Sequence, residues 1–194
     1  PVHYPNNKQA AHEADLVFIC VPTPYVSGVG CDTSIVEDVM KLIPEGRTVI
    51  IRSTIIPGTT DSLQTKFPNH FLLFNPEFLD EVSAVNDFKK PNRQIVGFTK
   101  TSEKQAQKVM DILPPAKYQK TMPAKAAETV KYFGNSFYAT KVSFANQMYD
   151  LCEKINANYE NVRDAVSNDS RIHPMHLDVW HKGYRGYGGK CLPK

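Results

Sequence analysis

Asp15-Leu16-Val17-Phe18-Ile19-Cys20-Val21, broken by Pro22-Thr23-Pro24, is the stretch that decides the fold. A continuous apolar run of this length, ended by prolines, predicts a strand buried on both faces of a parallel sheet. The pattern recurs downstream. Thr48 to Thr54 predicts a second strand closed by Pro57-Gly58, Phe71 to Phe74 a third ending at Asn75-Pro76, and Gln94 to Phe98 a fourth. Between them fall helical segments: one capped within Asp32-Thr33-Ser34 and running to about Leu42, a short one from Thr59 to Lys66, and a third from Ser102 to Leu113. Strands alternating with helices at this spacing predict an α/β fold, a Rossmann-like parallel sheet with right-handed crossovers.

The pattern changes after Pro123. No proline occurs from Ala124 to Asn156, and apolar residues recur near a helical period at Val130, Phe133, Phe137, Val142, Phe144, Met148, Leu151 and Ile155. One helix of roughly 45 Å is expected there, followed by a shorter one from Tyr159 to Val166 with Asn158 as its N-cap. The rest, rich in Gly, His and aromatic residues, reads as loop or short helix. The expected organisation is an α/β domain over 1–122 and an all-α central domain over 123–194 that ends in a glycine-rich cysteine loop.

Composition sets the bounds. The chain has 194 residues, 41% apolar and 22% charged, enough for a real core. A formal net charge of +3 on scattered Lys and Arg argues against nucleic acid as a partner. No apolar run has membrane-spanning length, so no membrane partner is expected. Cys20, Cys31, Cys152 and Cys191 form no disulfide framework and no zinc-ligand spacing, so reduced cytosolic thiols and no metal are expected.

Several residues have two readings. Thr23 and Thr54, at strand ends where open α/β sheets bind ligands, could hydrogen-bond a ligand or simply terminate strands. Glu77 and Glu81 just follow an apolar strand, where desolvation could raise a carboxyl into the general-base range; taken alone, they read first as surface glutamates. Lys131 and Asn135, four apart on the long helix, share one face and suit an oxyanion, or are solvated polar residues. Lys131, however, sits beside the apolar stripe, where an unpaired lysine is costly. Cys191 lies in Gly188-Gly189-Lys190-Cys191, a flexible loop that suits a covalent nucleophile. Gly28-Val29-Gly30 follows Pro-Thr-Pro-Tyr and lacks a third glycine before a helix, so it is not read as a phosphate loop.

Taken in order, seven segments resemble the nucleotide-sugar dehydrogenase family: Val21-Pro22-Thr23-Pro24; Asp32-Thr33-Ser34; Arg52-Ser53-Thr54 with Pro57-Gly58-Thr59-Thr60; Asn75-Pro76-Glu77-Phe78-Leu79; Ala84, Asp87-Phe88 and Pro91-Asn92-Arg93; Lys131-Tyr132-Phe133-Gly134-Asn135; and Gly186 to Lys194. The resemblance implies NAD as cofactor and two-step oxidation of a nucleotide-sugar C6 alcohol to a carboxylate. UDP-glucose is the first-ranked substrate, with GDP-mannose and UDP-N-acetylhexosamines as alternatives. It implies Cys191 as the thiohemiacetal- and thioester-forming nucleophile, Lys131 and Asn135 as holders of the oxyanions and the water, and Glu77 as acid/base. Thr23, Thr54 and Glu81 match cofactor-contacting positions, and Phe78, Leu79, Gly188, Gly189 and Arg171 match substrate-binding ones. A homodimer through the helix over 124–156 is implied as well. The first βαβ unit and the usual aspartate after Lys194 are missing, and Val82 replaces a usual glycine. We therefore expect a longer parent chain and negligible turnover from these residues alone. A non-catalytic dimerisation module is the remaining alternative.

Overall fold

The computed structural model describes residues 8–28, 30–80, 83–181, 183–188 and 192. The chain divides into two compact units, Pro1–Tyr132 and Phe133–Lys194. The first contains α1 (Lys8–Glu13), β1 (Leu16–Ile19), β2 (Tyr25–Val26), β3 (Gly30–Cys31), α2 (Ser34–Met40), β4 (Thr48–Ile51), α3 (Thr59–Lys66), β5 (Phe71–Phe74), α4 (Ala84–Lys89), β6 (Arg93–Phe98), α5 (Glu103–Ile112) and β7 (Tyr118–Pro123). The long α6 (Ala124–Lys154) starts in the first unit and ends in the second, which adds α7 (Tyr159–Ser167), β8 (Trp180–His181) and β9 (Tyr184–Arg185).

The main sheet has the order β1-β4-β5-β6-β7. Alternation across the pleat divides its apolar side chains between two cores. Val49, Ile51, Leu72, Phe74 and Ile95 point to one side and pack with Val36 and Met40 of α2, Leu63 of α3 and Ala127 of α6. Ile50, Leu73 and Val96 point to the other and pack with Ala106, Val109 and Met110 of α5. Burying each such side chain contributes about 1.5–3 kcal/mol, which explains the unbroken apolar runs of β4 and β5.

The sheet corrects three expectations. β1 is not buried on both faces: Ile19 is buried, but Leu16 and Phe18 are exposed, because among the described strands β1 has β4 as its single neighbour. Cys20, just past the strand, is likewise exposed rather than interior. The sheet is parallel except between β5 and β6, which run antiparallel with Leu73 opposite Phe98. The connection between them holds the six-residue α4, and an antiparallel neighbour needs no full crossover helix.

β7 was not anticipated. Its Tyr-Gln-Lys-Thr sequence is polar because it is a largely exposed edge strand. Residues expected to be loop form the β2–β3 hairpin, with Gly28 and Gly30 at φ +79° and +89°, conformations that favour glycine. At Gly97 the absence of a side chain has a different use. A Cβ there would lie 2.8 Å from Ala127 Cβ and 2.9 Å from Ala124 Cα, so α6 begins pressed directly onto β6.

In the second unit Ala145, Cys152, Tyr159, Leu177 and Val179 form a core. The Asn158 side chain caps α7 by accepting from the Asn161 N–H at 2.9 Å, as expected. The anticipated apolar stripe of α6 divides into two faces: Val142 is buried with Ala145 and Cys152, whereas Phe133, Phe137, Phe144, Leu151 and Ile155, just past the helix, are exposed. No helix among the described residues is long and apolar enough to cross a membrane.

Candidate active site

The carboxyl ends of β1 and β4 lie side by side and are joined by side chains. Ser53 Oγ accepts from the Val21 N–H at 2.9 Å and donates to the Val21 carbonyl at 2.8 Å. The buried Thr23 hydroxyl donates to the Thr54 carbonyl at 2.7 Å, and the Cys31 thiol approaches that same carbonyl at 3.3 Å. The Tyr132 hydroxyl is buried beside Cys31, and burial pushes it well above the ordinary phenol range. This stitching leaves the half-buried Thr54 at the rim.

The next strand end presents Glu77. Asn75, fully buried, donates to the Ile95 carbonyl at 2.7 Å and accepts from Arg52, which ties the end of β5 to β4 on one side and β6 on the other. Burial pulls the Arg52 guanidinium down, an effect opposed by Cys20 and Glu77. After the buried Pro76 comes the half-buried Glu77, whose Oε2 accepts from the Leu79 N–H at 2.8 Å. Lys131 reaches this turn from α6: Nζ donates to the Glu77 carbonyl at 2.7 Å and lies 3.2 Å from Oε1. The Phe78 ring carries the Arg93 guanidinium at 3.9 Å and has Lys131 Nζ 5.8 Å away. Lys131 is 7% exposed. A nearly buried ammonium beside a carboxylate is a pair that can both hold an oxyanion and manage a proton.

Thr23, Thr54, Glu77, Phe78, Leu79 and Lys131 all belong to the first unit, and of these the structure joins Thr23 with Thr54 and Lys131 with Glu77 and Phe78. Asn135, half-buried four residues further along α6, belongs to the second unit. So do Gly188 and Arg171, whose exposed guanidinium is held by Asp169 at 2.6 Å. Glu81, Gly189 and Cys191 lie outside the described residues. Two residues escaped the sequence reading. Arg185 donates to the Asn146 side chain at 3.0 Å, its carbonyl at 2.9 Å and Asp150 at 2.6 Å, and so anchors the start of the Gly186-Tyr187-Gly188 segment to α6. Glu128 of α6 is the other. It is a completely buried carboxylate whose partners are at the start of α3. No local pattern marked either, because their partners lie 35 or more residues away.

The residues present fit one flank of a dinucleotide. Adjacent strand ends offer a half-buried threonine and stitched backbone at the place where open α/β sheets take ligands. The glycine-rich loop that receives a pyrophosphate is not among the described residues, since Gly28 and Gly30 shape a hairpin instead. Among the described residues no group of three or more His, Cys, Asp or Glu could hold a metal ion.

Comparison with known proteins identifies the family of the chain. Residues 4–113 match the NAD binding domain of the UDP-glucose/GDP-mannose dehydrogenase family, and residues 125–194 match that family's central domain. The chain belongs to this family. It is 36% identical to the UDP-glucose 6-dehydrogenase of Rhizobium meliloti (strain 1021) over 96% of its length, and 38% identical to that of Rickettsia prowazekii (strain Madrid E) over 93%. Among solved structures it resembles a UDP-glucose dehydrogenase from Pyrobaculum islandicum (TM-score 0.83, 30% identity, 96% of this chain and 45% of that one). It also resembles a GDP-mannose dehydrogenase from Pseudomonas aeruginosa (TM-score 0.72, 27% identity, 96% of this chain and 46% of that one). The chain spans 45% and 43% of the two curated relatives, under half of their length.

Proposed function

We propose that the full-length protein carrying these residues oxidises the C6 alcohol of a nucleotide sugar, UDP-glucose first, to the carboxylate. NAD, when bound, accepts the hydrides. Thr23, Thr54 and Glu81 hold the cofactor's flank, and Phe78, Leu79, Arg171, Gly188 and Gly189 hold the nucleotide sugar. Cys191 adds to the C6 aldehyde as a thiohemiacetal and then holds the carbon as the thioester that water cleaves. Lys131 and Asn135 stabilise the oxygen as its charge develops, and Glu77 takes and returns the proton. The observation that carries this reading is the nearly buried Lys131 ammonium on Glu77, 2.7 Å from its carbonyl and 3.2 Å from its carboxylate. A lysine costs free energy to bury unless it is paired, and a buried, paired cation supports the reading because the chemistry calls for a fixed one.

Three further parts of the reading have support of their own. The exposed Phe133, Phe137, Phe144 and Leu151 recur at spacings of four and seven along α6, as a helix-to-helix dimer seam would require. A cytosolic setting accords with the free thiols of Cys20, Cys31 and Cys152. The division into an NAD-binding domain over 1–122 and a central helical domain over 123–194 accords with the two family segments.

The test is acid quench of the full-length enzyme during turnover, followed by peptide mass spectrometry. A sugar adduct on Cys191 that disappears in Cys191→Ser is the expected result. Turnover unchanged in Cys191→Ser would overturn the reading. A panel of UDP-glucose, GDP-mannose and UDP-N-acetylhexosamines assigns the sugar, with UDP-glucose expected to give the highest kcat/KM.

A further inference from the structure

Glu128 is a carboxylate with 0% exposure in a part of α6 that otherwise buries alanines. Its oxygens are fully engaged. Oε2 accepts from the Gly58 N–H at 2.5 Å, while Oε1 accepts from the Thr60 N–H at 2.8 Å and the Thr60 hydroxyl at 2.6 Å. These donors form the first turn of α3, whose N-cap, Gly58, sits at φ +100° and makes no side-chain cap. A helix start leaves its first N–H groups without intrahelical partners. Gly58 has no side chain to serve them, and its left-handed backbone disfavours the residues that could. Glu128 supplies that cap from another helix, as an anion at the positive end of α3. The arrangement is costly, since burial pushes the carboxyl up and the three donors only oppose that. An apolar side chain would fill the same space without the desolvation.

What the carboxylate provides is position. Gly58 follows Thr54 by four residues at the end of β4, and Lys131 follows Glu128 by three on α6, about one turn on. In the other direction, Ala127, the preceding residue, and Ala124, about one turn back, press on Gly97. Packing on Gly97 sets the distance of α6 from the sheet, and a cap with three directed bonds sets its rotation and its rise along that surface. We infer that Glu128 is a positioning residue that ties α6 to the loop after β4 and thereby sets Lys131 against Glu77. This rests on the reading of Lys131 as the oxyanion-holding group.

The test uses the full-length enzyme with Glu128→Gln, Thr60→Val, Lys131→Met and, as a control, Ser102→Ala. Ser102 is buried and donates to the Leu72 carbonyl, on a different part of the sheet from Glu128. Glu128→Gln places an amide N–H₂ opposite one of the N–H donors, and Thr60→Val deletes the hydroxyl while leaving the backbone bond. Displacements near an ångström can cost about a hundredfold in rate. Glu128→Gln should therefore lower kcat by about tenfold or more with KM nearly unchanged, the signature of a lost transition-state contact. Thr60→Val should do the same to a smaller extent.

The second readout needs no turnover: the labelling rate of Lys131 by an amine-directed reagent, followed by peptide mass spectrometry. That rate should rise severalfold in Glu128→Gln and in Thr60→Val, and stay at the wild-type level in Ser102→Ala. If both variants lose thermal stability as Ser102→Ala does but keep wild-type kcat and labelling, the inference is overturned. Should Glu128→Gln fail to fold, Thr60→Val decides by the same criteria. Full activity in Lys131→Met would remove the functional reading, while the labelling rates would still report separately on whether Glu128 places the lysine.

Discussion

The segments of α6 before and after Tyr132 share one geometry and treat their largest side chains in opposite ways. Before Tyr132 the helix buries a glutamate and a lysine, each with partners on other elements, and keeps its apolar contacts small at Ala124 and Ala127. Beyond it, Phe133 is 71% exposed and Phe137 53%, although aromatic rings have the most to gain from burial. The difference teaches that polarity by itself does not decide what a helix buries. Charges go inside where fixed donors and acceptors await them, whereas rings stay outside where this chain's described residues leave them uncovered.

The comparison can be broken from either end. Lys131→Met should reduce kcat by about a hundredfold or more, the scale of losing one preorganised oxyanion donor, with the circular dichroism spectrum unchanged; steady-state NADH formation checks this. Glu128→Ala should destabilise the first unit by about 3 kcal/mol, because three buried donors lose their acceptor, as read by urea unfolding. Phe133→Asp with Phe137→Asp should convert a dimer to a monomer in light scattering. Exposed substitutions of this kind change intrinsic stability by only about 0.5 kcal/mol.

The smallest effect concerns pH. Burial raises the Glu128 carboxyl above its unfolded value of 4.5, so the folded protein holds a proton that the unfolded chain releases first. The contribution of this group to stability is therefore greatest below that value, and it declines as pH rises through the raised one. Glu128→Gln should flatten this decline, measured as unfolding free energy against pH.

Much of this was readable in the sequence, for physical reasons. Val49-Ile50-Ile51 and Leu72-Leu73-Phe74 are apolar because both pleat faces are covered, and their strands appear where the runs predict them. α6 starts at Ala124, immediately after Pro123, as the proline pattern required. The discomfort of Lys131 beside an apolar stripe also pointed the right way, to a paired, nearly buried cation. β7 escaped because an edge strand has no need of apolar residues. β1 misled because its apolar residues exceed what the described sheet covers. Glu128 was invisible: a glutamate in a helix is ordinary, and its donors at Gly58 and Thr60 lie 70 and 68 residues away. The Lys131–Glu77 contact spans 54 residues, and position alone left each residue with two readings.

The central claim is a double oxidation at one carbon by the full-length enzyme. The most direct measurement is the ratio of NADH formed to UDP-glucose consumed, with the product identified by mass. The account predicts two NADH per sugar and a product with one more oxygen and two fewer hydrogens. One NADH per sugar with release of the free aldehyde, or no NADH from any nucleotide sugar, would contradict it.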